Sequence, residues 1–320
     1  MTSPSSAVDL PTLPDDDAEA FAVRTPCGIA VAVYAWRNCP QDAPVVLWGH
    51  ANGFNAGCYR PFLRRLASRA RVFAYDARGH GASDKPMRDL TEDYAMQRFG
   101  EDLQAISASV TQRIGPDGRL HYASHSLGGL AAVLLEGRLD IHPFASLTLF
   151  EPPIYPPAGH PAHAQAEQSQ PLFARWSSRR QDRFVDRDEL RQVASRISTF
   201  ASFEPEMLEA YVEAVAAPVS DGGLALRCPR EVESAIYGNN AAAGVFEAAR
   251  GVATPTRIFS ADPQTVDQGH LWTPETMKSV AQVMANAEYR RFPRGQHLMV
   301  QEFPDRAVAE IVDHISSLQG

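Results

Sequence analysis

The stretch from Leu120 to Leu135 constrains this chain more than any other. An apolar, strand-like lead, Leu120 to Ala123, runs straight into Ser124-His125-Ser126-Leu127-Gly128-Gly129. An apolar run of helical character, Leu130 to Leu135, leaves it. A strand passes into a helix this abruptly only through a very tight turn. Residues two before and two after the turn must then be small, because the two backbones approach closely. Gly128 and Gly129 meet that need on the helix side, and Ser124 stands where glycine would be the smallest choice. Ser126, at the turn, is expected to lift its hydroxyl above the sheet edge, over the amino end of the new helix.

The neighbouring segments predict a sheet for this turn to top. Glu19–Thr25 and Ile29–Trp36 alternate around Pro26-Cys27-Gly28 and read as an antiparallel hairpin. Ala43–Trp48, Arg71–Tyr75 and Ala145–Phe150 are short continuous apolar runs, the pattern of buried parallel strands. Helical spacing separates them, at Cys58–Arg69, along one long helix from Leu90 to Ile114, and at Leu127–Gly137. This alternation implies a mostly parallel sheet with helices on both faces. Ligand chemistry then belongs at the carboxyl ends of the strands. Three loops rich in glycine, serine and histidine fall at those ends: His50–Phe54, Asp76–Ser83 and the Ser126 turn.

From about Pro152 to Gly251 strand-like runs vanish, and helical spacings appear at Phe173–Ser178, Asp188–Phe200, Pro205–Ala216 and Arg230–Tyr237. The segment reads as a helical insertion over residues 152–251, between core portions at 19–151 and 252–320, with 1–18 as a loose tail. Within it Arg175, Arg179, Arg180, Arg183, Arg187, Arg191 and Arg196 interleave with acidic residues. A solvated, ion-paired helix face is the plain reading, and a guide for an anionic substrate the sharper one. His160 and His163 lack a third ligand nearby and read as loop residues, not a metal site. Strand signals return at Thr256–Ser260 and Tyr289–Phe292, with a helix between them and an amphipathic helix, Pro304–Leu318, at the end.

Composition excludes some classes of function. A net charge of −8 disfavours nucleic-acid and anionic-membrane partners. No apolar run approaches a membrane span, and the Pro/Ser-rich, acidic N-terminus is unlike a signal peptide, so a cytoplasmic location is expected. The four cysteines have no C-x-x-C spacing and read as reduced thiols.

Four features in order carry a resemblance over Glu19–Leu318: His50-Ala51-Asn52-Gly53-Phe54, Asp76-Ala77-Arg78-Gly79-His80-Gly81-Ala82-Ser83, the turn at Ser126, and Gly295-Gln296-His297 before the last helix. Together they resemble the α/β-hydrolase superfamily. The resemblance implies an α/β fold whose mostly parallel sheet is flanked by helices, with the insertion acting as a helical cap. It implies Ser126 as nucleophile and His297 as general base, an imidazole titrating in the range that suits proton transfer at neutral pH. The third member is open. The loop Ser260–Asp267 puts Gln264 where the family usually has its acid, with Asp262 and Asp267 off register. Glu151, directly after the strand ending at Phe150, occupies the position some members use, and a charge ending an apolar strand needs a partner. Glu151 is therefore preferred to Asp262 or Asp267. The oxyanion hole would take the backbone N–H groups of Leu127 and Asn52, with Phe54 second to Asn52. A serine nucleophile sets the chain apart from members that use aspartate. It implies hydrolysis of a small ester, thioester or lactone through an acyl-enzyme, with no cofactor and no metal. The alternatives are a carbon–carbon bond hydrolase or lyase on the same fold and, behind it, a non-catalytic ligand receptor. The partner implied is a small molecule, and cap helices are candidate contacts between copies.

Overall fold

A computed structural model describes residues 17–116, 118–265, 270 and 272–319. Most of the segment read as a loose tail lies outside the described residues. Strands β1 (Ala18–Arg24) and β2 (Ala30–Trp36) form the hairpin, and β3 (Val45–Gly49), α1 (Arg60–Ala67) and β4 (Arg71–Tyr75) follow. Next come α2 (Leu90–Asp93), α3 (Met96–Ile114), β5 (Leu120–His125), α4 (Leu127–Leu139) and β6 (Leu147–Phe150). The intervening segment holds α5 (His163–Arg179), β7 (Arg183–Phe184), α6 (Arg187–Ser195), α7 (Pro205–Ala214), β8 (Ala216–Pro218), β9 (Leu224–Leu226), α8 (Arg230–Asn240) and α9 (Val245–Ala248). The chain then returns through β10 (Thr256–Ser260), α10 (Thr273–Val283), β11 (Ala287–Arg291), α11 (Met299–Glu302) and α12 (Pro304–Ser317).

Eight strands make one sheet in the order β1-β2-β4-β3-β5-β6-β10-β11. The hairpin runs antiparallel and pairs β2 antiparallel to β4; the other neighbours are parallel. The continuous apolar runs are buried on both sides, as that placement demands: every residue of β3, β5 and β6 is buried. One side is filled by Trp48, Phe62, Phe150 and Phe259, and the other by Leu47, Tyr122, Leu134 and Ile258. Helix α4 lies on the second side and is apolar all round because α3 covers it in turn.

Two expectations are corrected. The helix expected from Leu90 to Ile114 is two pieces: buried Tyr94 leaves helical geometry and Ala95 is extended (φ −55°, ψ 135°), so the chain bends before α3. The 152–251 segment is not free of strands, because β7, β9 and β8 form a small antiparallel sheet there. Its strands have two or three residues each, too short for alternation to register.

Both ends of that segment rest on α4. A Cβ added at Gly129 would lie 2.7 Å from the Pro152 Cβ, so the outgoing chain sits directly on the helix. Farther along α4, a Cβ at Gly137 would overlap the Ala248 carbonyl, and one at Gly251 would lie 2.8 Å from the Gly137 carbonyl oxygen. Among the described residues no helix is long and apolar enough to cross a membrane.

Candidate active site

Ser126 stands alone between β5 and α4 at φ 54°, ψ −112°. A side-chain-bearing residue held there stores roughly 1–3 kcal/mol of strain. Two backbone bonds hold it: Ser126 N–H donates to Phe150 C=O at 2.9 Å, and Gly129 N–H to Ser126 C=O at 2.9 Å. The serine at position 124 is tolerated because its counterpart is bare. A Cβ on Gly128 would lie 2.9 Å from the Ser124 Cβ and equally close to the Gly49 carbonyl.

The N–H groups of Asn52 and Leu127 donate to no protein group among the described residues, whereas Phe54 N–H is bonded to Ala51 C=O at 3.1 Å. Phe54 therefore has no donor to offer. The loop carrying Asn52 is fixed from three sides. The Asn52 amide donates to Glu233 C=O at 3.0 Å, Gly53 N–H to His80 Nε2 at 3.1 Å, and Gly128 N–H to His50 C=O at 3.2 Å. Behind it, Asp76 accepts from Ala56 N–H, Ala82 N–H and the Tyr34 hydroxyl, which gives the Asp76–Ser83 loop its bracing part.

His297 is buried between two other histidines. His270 stacks on it with ring centroids 3.9 Å apart and planes 6° from parallel, and the His125 ring lies 5.2 Å away. Burial, then the neighbouring His270 and His125, push its pKa well below the usual histidine range. The ring is therefore neutral at pH 7, the form a base requires. A buried hydrogen-bond chain anchors its backbone. His125 Nε2–H donates to His297 C=O at 2.7 Å, which leaves His125 Nδ1 to accept from the Tyr59 hydroxyl, also at 2.7 Å. The Tyr59 oxygen in turn accepts from Ala51 N–H at 3.2 Å. One polar chain thus touches the loop of Asn52, the residue before Ser126 and the residue expected as base. Sequence reading missed this. Tyr59 was legible only as part of a helix face, and the available signal was a histidine ending an otherwise apolar strand.

The two described carboxylates differ sharply. Asp262 accepts from Gln264 N–H at 3.1 Å and Arg294 N–H at 2.9 Å, and these backbone bonds hold its pKa below the ordinary value. Glu151 is wholly buried at φ 46°, next to Phe150, the residue that Ser126 N–H bonds. Its oxygens accept from Ala261 N–H and the Thr273 hydroxyl, both neutral donors. His297 Nδ1 has no hydrogen-bond partner among the described residues, so neither carboxylate is bonded to it. Asp267 lies outside the described residues.

A cavity of about 630 Å³ adjoins this site, and Asn52, His270, His297 and Leu298 are among the residues that line it. Of the arginine series only Arg180 lines it among the described residues. Arg180 donates to Glu233 at 2.6 Å and to the Tyr211 hydroxyl at 3.0 Å. Burial works against its charge, but Glu233 and Tyr211 more than offset this and raise its pKa. Arg183 pairs with Asp221 and Arg191 with Asp188 and Glu209 on the outer face, while Arg187 donates to the carbonyls ending α7. His160 bonds Ser279 and His163 the Pro156 carbonyl. No cluster of three metal-ligating side chains occurs among the described residues.

Known proteins share the fold. The chain is 32% identical to 3-oxoadipate enol-lactonase 1 of Acinetobacter baylyi over 112 residues, 35% of this chain and 38% of that one. It is 28% identical to 2-(acetamidomethylene)succinate hydrolase of Mesorhizobium japonicum over 92 residues, 29% of this chain and 30% of that one. The matched stretches thus span about a third of those relatives. Among solved structures, E-2-(acetamidomethylene)succinate hydrolase superposes with a TM-score of 0.74 at 18% identity, covering 93% of this chain and 99% of that one. A thioesterase domain from the curacin biosynthetic pathway gives 0.69 at 19% identity, covering 92% and 99%. The pattern described as the alpha/beta hydrolase family matches residues 45–311, most of the sheet and everything inserted into it. With its sheet order, its strained serine turn and its late histidine loop, the chain belongs to the alpha/beta hydrolase family.

Proposed function

We propose that the protein is a serine hydrolase cleaving a small ester, thioester or lactone through an acyl-enzyme. The observation that carries this reading is Ser126 held at positive φ at the amino end of α4, with two N–H groups that have no acceptor among the described residues and a neutral histidine nearby. Ser126 Oγ attacks the carbonyl carbon while His297 takes its proton. Charge on the tetrahedral oxygen is met by the N–H groups of Leu127 and Asn52, each donor of this kind contributing roughly 3–4 kcal/mol. His297 returns the proton to the leaving group and then activates water. Glu151 is the acid assigned to the imidazolium, because a wholly buried carboxylate that ends the strand beside Ser126 gains most from a cation. The segment over the site acts as the cap, and a relative named for a lactone makes lactones worth screening beside esters. Carbon–carbon bond hydrolysis stands second. It would be favoured by a basic side chain reaching the cavity; Arg180 does reach it, but in an ion pair.

Fluorophosphonate labelling with peptide mapping tests the reading. Stoichiometric modification at Ser126 is expected in the wild type and none in Ser126→Ala, whose ester turnover should fall by about 10⁴-fold or more with folding intact. A folded wild-type protein that takes no label would overturn the acyl-enzyme.

A further inference from the structure

The cavity is built from two aromatic walls. Phe54, Phe200 and Tyr211 form one, with neighbouring centroids 4.8–6.3 Å apart. Phe173 with Trp176 and Tyr237 forms the other, at 5.5–5.6 Å. Between them the Arg180–Glu233 pair contributes one positive and one negative charge. Glu233 is held firmly in place. Its Oε2 accepts from Arg180, its Oε1 from the Ser177 hydroxyl at 3.4 Å, and its backbone carbonyl from the Asn52 amide at 3.0 Å. Its carboxylate lies directly over Gly53, where an added Cβ would come within 2.9 Å of it. A negative charge therefore stands one residue from Asn52.

We propose that this pair makes the cavity select an uncharged substrate with an apolar acyl chain and reject its carboxylate-bearing counterpart, an inference that rests on the serine-hydrolase reading above. A ligand carboxylate close enough to bond Arg180 would also face Glu233, so attraction and repulsion largely cancel. It would meanwhile lose its hydration among aromatic rings. A methyl group or an aryl ring at the same place loses nothing and gains contact with both walls.

The matched pair p-nitrophenyl butyrate and mono-p-nitrophenyl succinate differs at one terminus, methyl against carboxylate. Wild-type kcat/KM is measured on both in 1 M salt, where the screening length of about 3 Å removes long-range repulsion by the net charge. Affinity of Ser126→Ala for both esters is measured by calorimetry. The butyrate should be favoured at least about tenfold in each assay, and Glu233→Gln should narrow the gap by improving the succinate. Equal or better use of the succinate by the wild type, or failure of both esters to bind Ser126→Ala, overturns the proposal. Binding selectivity in Ser126→Ala without wild-type turnover would sink the hydrolase reading and leave the selectivity standing. Should Glu233→Gln fail to fold, the wild-type ratio decides.

Discussion

Among single residues, Glu151 and Asp262 make the sharpest contrast. Asp262 binds two backbone N–H groups of its own loop and of the loop before His297, and so braces both. Glu151 is wholly buried, and its oxygens accept from Ala261 N–H and the Thr273 hydroxyl. Glu151→Gln should lower kcat on a cleaved ester by about 10²-fold or more, by analogy with the cost of disabling a triad acid. Asp262→Asn should leave kcat within about threefold and instead destabilise by about 1–2 kcal/mol, read as a lower urea midpoint, because one accepted bond is lost. The opposite ranking of kcat would assign the acid to the later loop. Ser126 and Asn52 were legible in the sequence because each sits in a turn whose small neighbours announce it. Arg180 was legible only as one of seven interleaved arginines, and Glu233 and His270 not at all: nothing local singles them out, and only the fold brings the three to the cavity.

Among elements, the chain Ala51–Tyr59–His125–His297 joins three loops that arrive from different strands. Every member has a fixed role as donor or acceptor, since a carbonyl at one end and an N–H at the other leave no choice. Tyr59→Phe removes the hydroxyl that both fixes the His125 tautomer and receives Ala51 N–H, yet touches no substrate. Its kcat should fall about tenfold to a hundredfold with KM within about threefold, the pattern of misplacement at the reacting centre. A change confined to KM would show that the chain does not position the catalytic loops. Strand ends and helix spans were legible wherever apolar runs were continuous, as in β10, which matches the expected Thr256–Ser260. The break at Tyr94 and the short β7, β8 and β9 were not, because tertiary burial and strands of two or three residues leave no period to read.

For the molecule as a whole, buried histidines set the response to acid. Burial lowers the pKa of His121, His125 and His314 to about 4. The unfolded chain protonates these rings near pH 6.5, so it binds more protons than the native state between pH 6.5 and 4. Stability should therefore be flat above pH 7 and fall as the pH drops through that window, by about 1.4 kcal/mol per pH unit for each fully titrating ring. Urea midpoints at pH 7.5, 6 and 5 would check it; a midpoint unchanged at pH 5 would contradict it. The two feet of the 152–251 segment, Pro152 on Gly129 and Ala248 on Gly137, stand on one rod, and Ser126 caps that rod's first turn. The segment's interior is tied down as well, by Asn52 to the Glu233 carbonyl, Asn55 to the Ala214 carbonyl and Glu204 N–H to the Gln301 carbonyl, so the aromatic walls cannot lift from the nucleophile's end of the sheet without breaking those bonds.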